Sequence, residues 1–131
     1  IGVYPETKHP SHFKALGLSH GGQLLKLLKK YGYEGKDDPV FIQSFEVGNL
    51  QALNKQTEIR LVQLVGGEGG PPDLADRSFA SMLTADGLKE IATYADGIGP
   101  PKDLVISISI LRIRNLDPMG LVAMGKHKTM T

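Results

Sequence analysis

The sequence predicts an α/β fold in which parallel strands alternate with helices. Short β-branched and aromatic runs alternate with amphipathic stretches, glycine and proline separate them, and one run is apolar at almost every position. Because this order requires crossover connections, it fits either an open doubly wound sheet or part of a (β/α)8 TIM barrel. The 131 residues supply about four strand-helix units, so the barrel interpretation predicts one partial domain over residues 1–131, roughly half a barrel.

The first strand and the first helix are predicted in the N-terminal third. Ile1, Val3 and Tyr4 are β-branched or aromatic, Pro5 is expected to end this strand, and the polar segment 6–11 contains a second proline. Between residues 19 and 31, leucines recur at helical spacing and lysines occupy the opposite side, with Gly32 as a stop signal. We therefore expect an amphipathic helix after the first strand.

The middle of the chain repeats this order. Residues 40–45 form the second strand candidate, and residues 47–54 a short helix. Residues 59–65 are apolar almost throughout, which is typical of a strand covered on both faces. The glycine-rich segment 66–72 that follows is predicted to be a loop.

The last predicted elements are weaker. Residues 73–83 show no clear pattern, whereas Thr84 is a good first residue for a helix with one apolar face. A very short fourth strand is expected at residues 95–100, and Pro101 then opens either a helix or a loop.

Composition excludes several classes of protein. With 40% hydrophobic residues the chain can bury one core, which argues against disorder. Its 15 basic and 14 acidic side chains are dispersed and give a net charge of +1, so no nucleic-acid partner is expected. The absence of cysteine excludes disulfides, thiolate metal sites and a cysteine nucleophile. No apolar run approaches the roughly 20 residues of a transmembrane segment, so none is expected.

Four blocks of sequence, in this order and spacing, resemble the C-terminal half of a glycerophosphodiester phosphodiesterase. The blocks are "YPETKHP" (4–10), "KKYGYEGKDDPVFIQSFE" (29–46), "IRLVQLV" (59–65) and "YADGIGPPKDLVI" (94–106). The resemblance covers residues 1–106. Residues 107–131 depart from the family pattern, as does the alternating "ISISILRIR".

The resemblance implies a (β/α)8 barrel that hydrolyses glycerophosphodiesters to an alcohol and glycerol 3-phosphate. A divalent cation, Ca²⁺ or Mg²⁺, is held by carboxylates at the C-terminal mouth of such a barrel. The match to "YPETK" assigns Glu6 as a metal ligand and Lys8 as the catalytic lysine that faces the phosphate. Side chains separated by one residue on an extended backbone point the same way, so these two can converge.

Other parts of the family's machinery have no counterpart in this sequence. Family members carry a His-Arg-Gly block, a pair of acidic metal ligands and a second histidine that acts as a general acid, all upstream. His9, His12, His20 and His127 match none of them. The resemblance therefore implies that this chain supplies the C-terminal half of the site.

Other residues besides Glu6 and Lys8 are also candidates for the site. Gln43 and Phe45 share one strand face and are predicted to bind substrate, although Phe45 also fits core packing. His9 and His12 could form a metal pair, but their spacing in a proline-broken loop favours surface histidines. The "GGEGG" segment lacks the Lys-Ser/Thr of a phosphate-binding Walker motif, so we expect a flexible loop over the site with Glu68 solvated.

Two other functions remain open. Half a barrel exposes two sheet edges, so the chain could be a catalytically silent binding or assembly module that forms a homodimer. A relative acting on lysophospholipids or sphingolipids would need an apolar groove, which no aliphatic loop indicates. The expected partner is a small-molecule substrate. The "YADGIGP" block resembles longer, exported family members, which predicts a periplasmic or secreted protein, with a cytoplasmic one as the alternative.

Overall fold

A computed structural model describes residues 1–105, and every structural statement below concerns this range. The helices are α1 (Pro10–Ala15), α2 (Gly21–Lys30), α3 (Val47–Asn54), α4 (Phe79–Met82) and α5 (Ala85–Ile91), and the strands are β1 (Phe41–Ser44), β2 (Arg60–Leu64) and β3 (Gly97–Gly99). The alternating stretch 106–114 and His127 lie outside the described residues. No helix within the described range is long and apolar enough to cross a bilayer.

The three strands form a parallel sheet in the order β1-β2-β3. The predicted first strand is not a regular strand, but it pairs with β1 through parallel bridges of Val3 with Val40 and of Glu6 with Gln43. Pro5 does not end this pairing, because its carbonyl accepts a hydrogen bond from the Gln43 N–H at 3.0 Å and proline lacks only the donor. The α/β class is confirmed, and the sheet, which does not close within residues 1–105, is consistent with part of a barrel.

Local signals located several elements correctly. α2 lies within the predicted span and is followed by Gly32, whose φ of 83° is the left-handed conformation that glycine tolerates. α3 has the predicted bounds, and the Thr84 hydroxyl caps α5 by accepting a hydrogen bond from the Gly87 N–H at 3.1 Å. β1, β2 and β3 fall inside the predicted strands.

The polar segment before α2 was predicted without a helix, and this prediction was wrong. Pro10 occupies the first position of α1, where its fixed φ suits a helix and its missing N–H costs nothing. His12 therefore lies on a helix rather than in a proline-broken loop. α4 was also missed, although Ser78 caps it by accepting a hydrogen bond from the Ser81 N–H at 3.1 Å.

The core lies on one face of the sheet. In the parallel register, Ile42 pairs with Leu61, and Gln63 pairs with Ile98, so these residues share the face covered by helices. Burying an aliphatic side chain of this size contributes about 1.5–3 kcal/mol. The most completely buried apolar members of this core are Val40, Ile42, Leu50, Leu53, Leu61, Val65 and Met82.

The opposite face carries aromatic and basic side chains. Tyr4 and Phe41 meet edge to face with 6.2 Å between ring centroids, and the Arg60 guanidinium carbon lies 3.8 Å from the Phe41 centroid. This is the face that would line the interior of a closed barrel.

Candidate active site

A cavity of about 160 Å³ opens at the carboxyl end of the sheet. Parallel strands bring their carboxyl ends to one edge, so the segment after the N-terminal bridge meets the residues that follow β1. The lining residues are Glu6, Thr7, Lys8, His9, Ser44, Phe45, Glu46 and Pro72.

Glu6 and Lys8, the metal and catalytic candidates, both line this cavity. Glu6 is half-buried and Lys8 is exposed. Neither side chain forms a hydrogen bond or ion pair with another residue in the part of the chain that the structure describes, and the two do not pair with each other. A carboxylate and an ammonium group are thus available to a ligand at one concave surface.

Thr7 separates these two residues and also borders the cavity, but its side chain is held toward α3. It is 2% exposed, its hydroxyl accepts a hydrogen bond from Asn49 Nδ2 at 2.7 Å, and its carbonyl accepts one from Ser44 Oγ at 3.2 Å. Because side chains alternate along extended backbone, fixing Thr7 toward the core turns Glu6 and Lys8 toward the cavity. The sequence patterns did not identify Thr7 or Asn49, although alternation along extended backbone implies an inward-facing residue between Glu6 and Lys8.

His9 is a strained residue at the cavity. Its φ of 46° and ψ of 46° are left-handed, which costs a non-glycine residue about 1–2 kcal/mol, and Pro10 after it disfavours this conformation further. His12 packs its ring 5.4 Å from that of Phe13 and does not line the cavity. The structure therefore does not bring the two histidines together at this site.

The two substrate-binding candidates are placed differently. Phe45 lines the cavity, is 36% exposed, and packs its ring 5.9 Å from that of Phe79, so it is not a core residue. Gln43 does not line the cavity, and its Nε2 group donates a hydrogen bond to the Tyr4 carbonyl at 3.3 Å. The substrate-binding role of both residues stays a prediction.

The C-terminal end of the glycine-rich loop after β2 reaches the site. Pro72 lines the cavity, whereas Glu68 is exposed and does not. Asp73 contacts the start of α3, with Oδ1 accepting from the Val47 N–H at 3.1 Å and Oδ2 from the Gly48 N–H at 2.7 Å. This contact links the loop to the helix that follows β1.

The carboxylates at the cavity are Glu6 and Glu46. Both oxygens of Glu46 are already engaged, since Oε2 accepts from the Ser11 N–H at 2.9 Å and Oε1 from the Ser11 hydroxyl at 3.0 Å. The Glu6 oxygens accept no hydrogen bond from a residue that the structure describes, and carboxylate oxygens are ligands that calcium and magnesium prefer. Among residues 1–105, no cluster of three or more histidine, aspartate or glutamate side chains could hold a metal ion.

Comparison with known proteins finds several relatives. The chain is 31% identical to a glycerophosphodiester phosphodiesterase of Haemophilus influenzae over 76% of its length. It is 28% identical to one of Arabidopsis thaliana over 99% of its length, and 29% identical to one of Treponema pallidum over 81%. The chain spans 31%, 38% and 34% of these three proteins, respectively. No family model matches the chain.

Proposed function

The chain belongs to the glycerophosphodiester phosphodiesterase family, and from this premise we propose that its cavity is one side of the active site of a metal-dependent glycerophosphodiester hydrolase. The reaction adds water across a phosphorus-oxygen bond and releases an alcohol and glycerol 3-phosphate. One observation carries the proposal. Glu6 and Lys8 line one cavity, and neither has a partner among the described side chains.

In this proposal Glu6 holds a divalent cation, Ca²⁺ or Mg²⁺, because both prefer carboxylate oxygens. The bound cation would polarise a phosphoryl oxygen. Lys8 would contact the other phosphoryl oxygens, where its ammonium group offsets the negative charge that grows in the transition state. Phe45, at the same cavity, would pack against the carbon atoms of the substrate.

The remaining parts of the site are assigned to the portion of the relatives that this chain does not span. Calcium takes about six to eight oxygen ligands, and one carboxylate supplies at most two. We therefore assign the other acidic ligands and the histidine acid to that portion, and interpret the sheet as about half of a (β/α)8 barrel. The likeness of "YADGIGP" to exported members supports a periplasmic or secreted location.

A silent binding or assembly module is the second candidate. It is favoured by the lack of a three-ligand group within residues 1–105. Release of glycerol 3-phosphate from glycerophosphocholine tests catalysis by the chain itself, and we expect little or none.

Titration calorimetry separates the two candidates. We expect Glu6→Gln to weaken Ca²⁺ or Mg²⁺ binding about tenfold or more, because it replaces an anionic ligand with a neutral amide. With calcium saturating, Lys8→Met should weaken glycerol 3-phosphate binding by a similar factor.

Two exposed residues away from the cavity provide matched controls. Glu58→Gln and Lys36→Met make the same chemical changes and should leave both affinities unchanged. Equal cation affinity in the wild type and Glu6→Gln would remove Glu6 from the site and favour the silent module.

A further inference from the structure

We propose that Thr7, Ser11, Glu46 and Asn49 form a positioning network that holds Lys8 toward the cavity. The inference rests on the proposed function and concerns the same site. The four network residues do not bind the cation or the substrate. They act on Lys8 through the backbone that precedes and follows it.

Glu46 is the centre of this network. It is 3% exposed, and a buried carboxylate is costly unless hydrogen bonds compensate for the lost water. Each of its oxygens accepts a hydrogen bond from Ser11. It is nevertheless a lining residue of the cavity. Glu46 therefore fixes the position of Ser11 at the edge of the site.

The position of Glu46 in the fold supports this role. It is the N-cap residue of α3, yet its side chain makes no capping hydrogen bond to that helix. Asp73 supplies the capping contacts instead, by accepting hydrogen bonds from Val47 and Gly48. The Glu46 carboxylate is thereby left to hold Ser11, which lies 35 residues earlier in the sequence.

Lys8 lies between two fixed points. On one side, Thr7 is held by Asn49 and Ser44, and on the other, Ser11 is held by Glu46. The intervening His9 and Pro10 add a left-handed residue and a fixed ring rather than a freely rotating linker. Ordering this segment before a ligand arrives reduces the entropy lost on binding.

Glu6 is held by different contacts. Its neighbours Pro5 and Thr7 pair with Gln43 through the parallel ladder, with the Gln43 N–H donating to Pro5 and the Thr7 N–H to Gln43, each at 3.0 Å. Loss of the contact between Ser11 and Glu46 leaves this ladder intact. The network should therefore affect phosphate binding by Lys8 and not cation binding by Glu6.

The test compares two affinities in the same variants of the full chain. With calcium saturating, we expect Ser11→Ala and Glu46→Gln each to weaken binding of glycerol 3-phosphate about tenfold. Their calcium affinity should change by less than about twofold, which is the usual scatter for independent sites. Ser11 is exposed, so Ser11→Ala preserves the test if Glu46→Gln does not fold.

A double variant separates positioning from general destabilisation. If Ser11 acts through Lys8, the combination of Ser11→Ala with Lys8→Met should bind glycerol 3-phosphate no more weakly than Lys8→Met alone. Ser11→Thr keeps a hydroxyl group and should restore most of the affinity. Thr84→Ala removes a helix cap far from the cavity in sequence and should leave the affinity unchanged.

The outcomes are distinct. Full additivity in the double variant, or an equal loss in Thr84→Ala, would overturn the positioning role while leaving the proposed function intact. A wild-type chain that binds neither calcium nor glycerol 3-phosphate contradicts the proposed function, and this inference with it.

Discussion

Tyr94 and Gln63 form a buried polar pair beneath the carboxyl end of the sheet. Tyr94 is 4% exposed, and its hydroxyl donates a hydrogen bond to Gln63 Oε1 at 3.1 Å. Gln63 Nε2 in turn donates to the carbonyls of Phe45 at 3.0 Å and Leu64 at 2.9 Å. The pair thus fixes the backbone of Phe45, which lines the cavity.

The tyrosine gives this part of the molecule a pH dependence. Burial raises the pKa of Tyr94 to about 12 from its ordinary value of 10.0. Because the folded state holds the phenolic proton more tightly than the unfolded chain, the contribution of Tyr94 is complete below about pH 10. It is lost as the pH rises toward about 12.

We expect the wild type to lose more stability than Tyr94→Phe between about pH 10 and about pH 12. Urea denaturation of both proteins across this range measures the difference, with neutral pH as the reference where both rings are uncharged. Parallel stability curves would show that the phenol of Tyr94 is not protected in the native state.

At the scale of an element, α3 is capped from outside its own sequence. Its first two N–H groups, on Val47 and Gly48, donate to the Asp73 carboxylate, 26 and 25 residues away. A carboxylate at this position satisfies otherwise unpaired donors and interacts favourably with the helix dipole. The same contact holds the loop that carries Pro72 against the cavity.

Asp73→Ala should lower the free energy of unfolding by about 1–2 kcal/mol, the usual cost of losing a side-chain cap. Asp76→Ala is the matched control, because Asp76 is exposed in the same loop and its carboxylate forms no hydrogen bond or ion pair within residues 1–105. Chemical denaturation measures both variants. Equal stability of the two would mean that the bonds to Val47 and Gly48 contribute nothing net.

At the scale of the whole molecule, the sheet has two open edges. One edge is the segment around Val3, which pairs only with β1. The other edge is β3, which pairs only with β2 among residues 1–105. Open edges present unpaired backbone donors and acceptors, and they favour association with another chain. This geometry supports the predicted homodimer, which stays a prediction.

Sedimentation velocity over a range of concentrations should show self-association that increases with concentration. We expect Val3→Lys to weaken it, because a lysine at an edge opposes pairing. Leu74→Lys is the control, since Leu74 is 39% exposed, similar to Val3 at 37%, but lies in the loop. A monomer at every concentration would contradict the open-edge interpretation.

Local sequence patterns were enough to predict the order of most strands and helices. Most elements were predictable because apolar periodicity depends only on residues that are close in the sequence. This holds for the parallel strands and for α2, α3 and α5. The residues that end α2 and cap α5 are local signals as well. α1 was missed because its proline at the first helical position was interpreted as a breaker. Glu6 and Lys8 came from the family resemblance, and both line the same cavity.

The surroundings of Glu6 and Lys8 depend on contacts between residues that are distant in the sequence. Asn49 reaches Thr7 across 42 residues, and Glu46 reaches Ser11 across 35. Such contacts depend on the register between parallel strands and on the path of the helices that connect them, and local patterns specify neither. The order of elements is therefore encoded locally, whereas the partners of the cavity residues follow from how those elements pack.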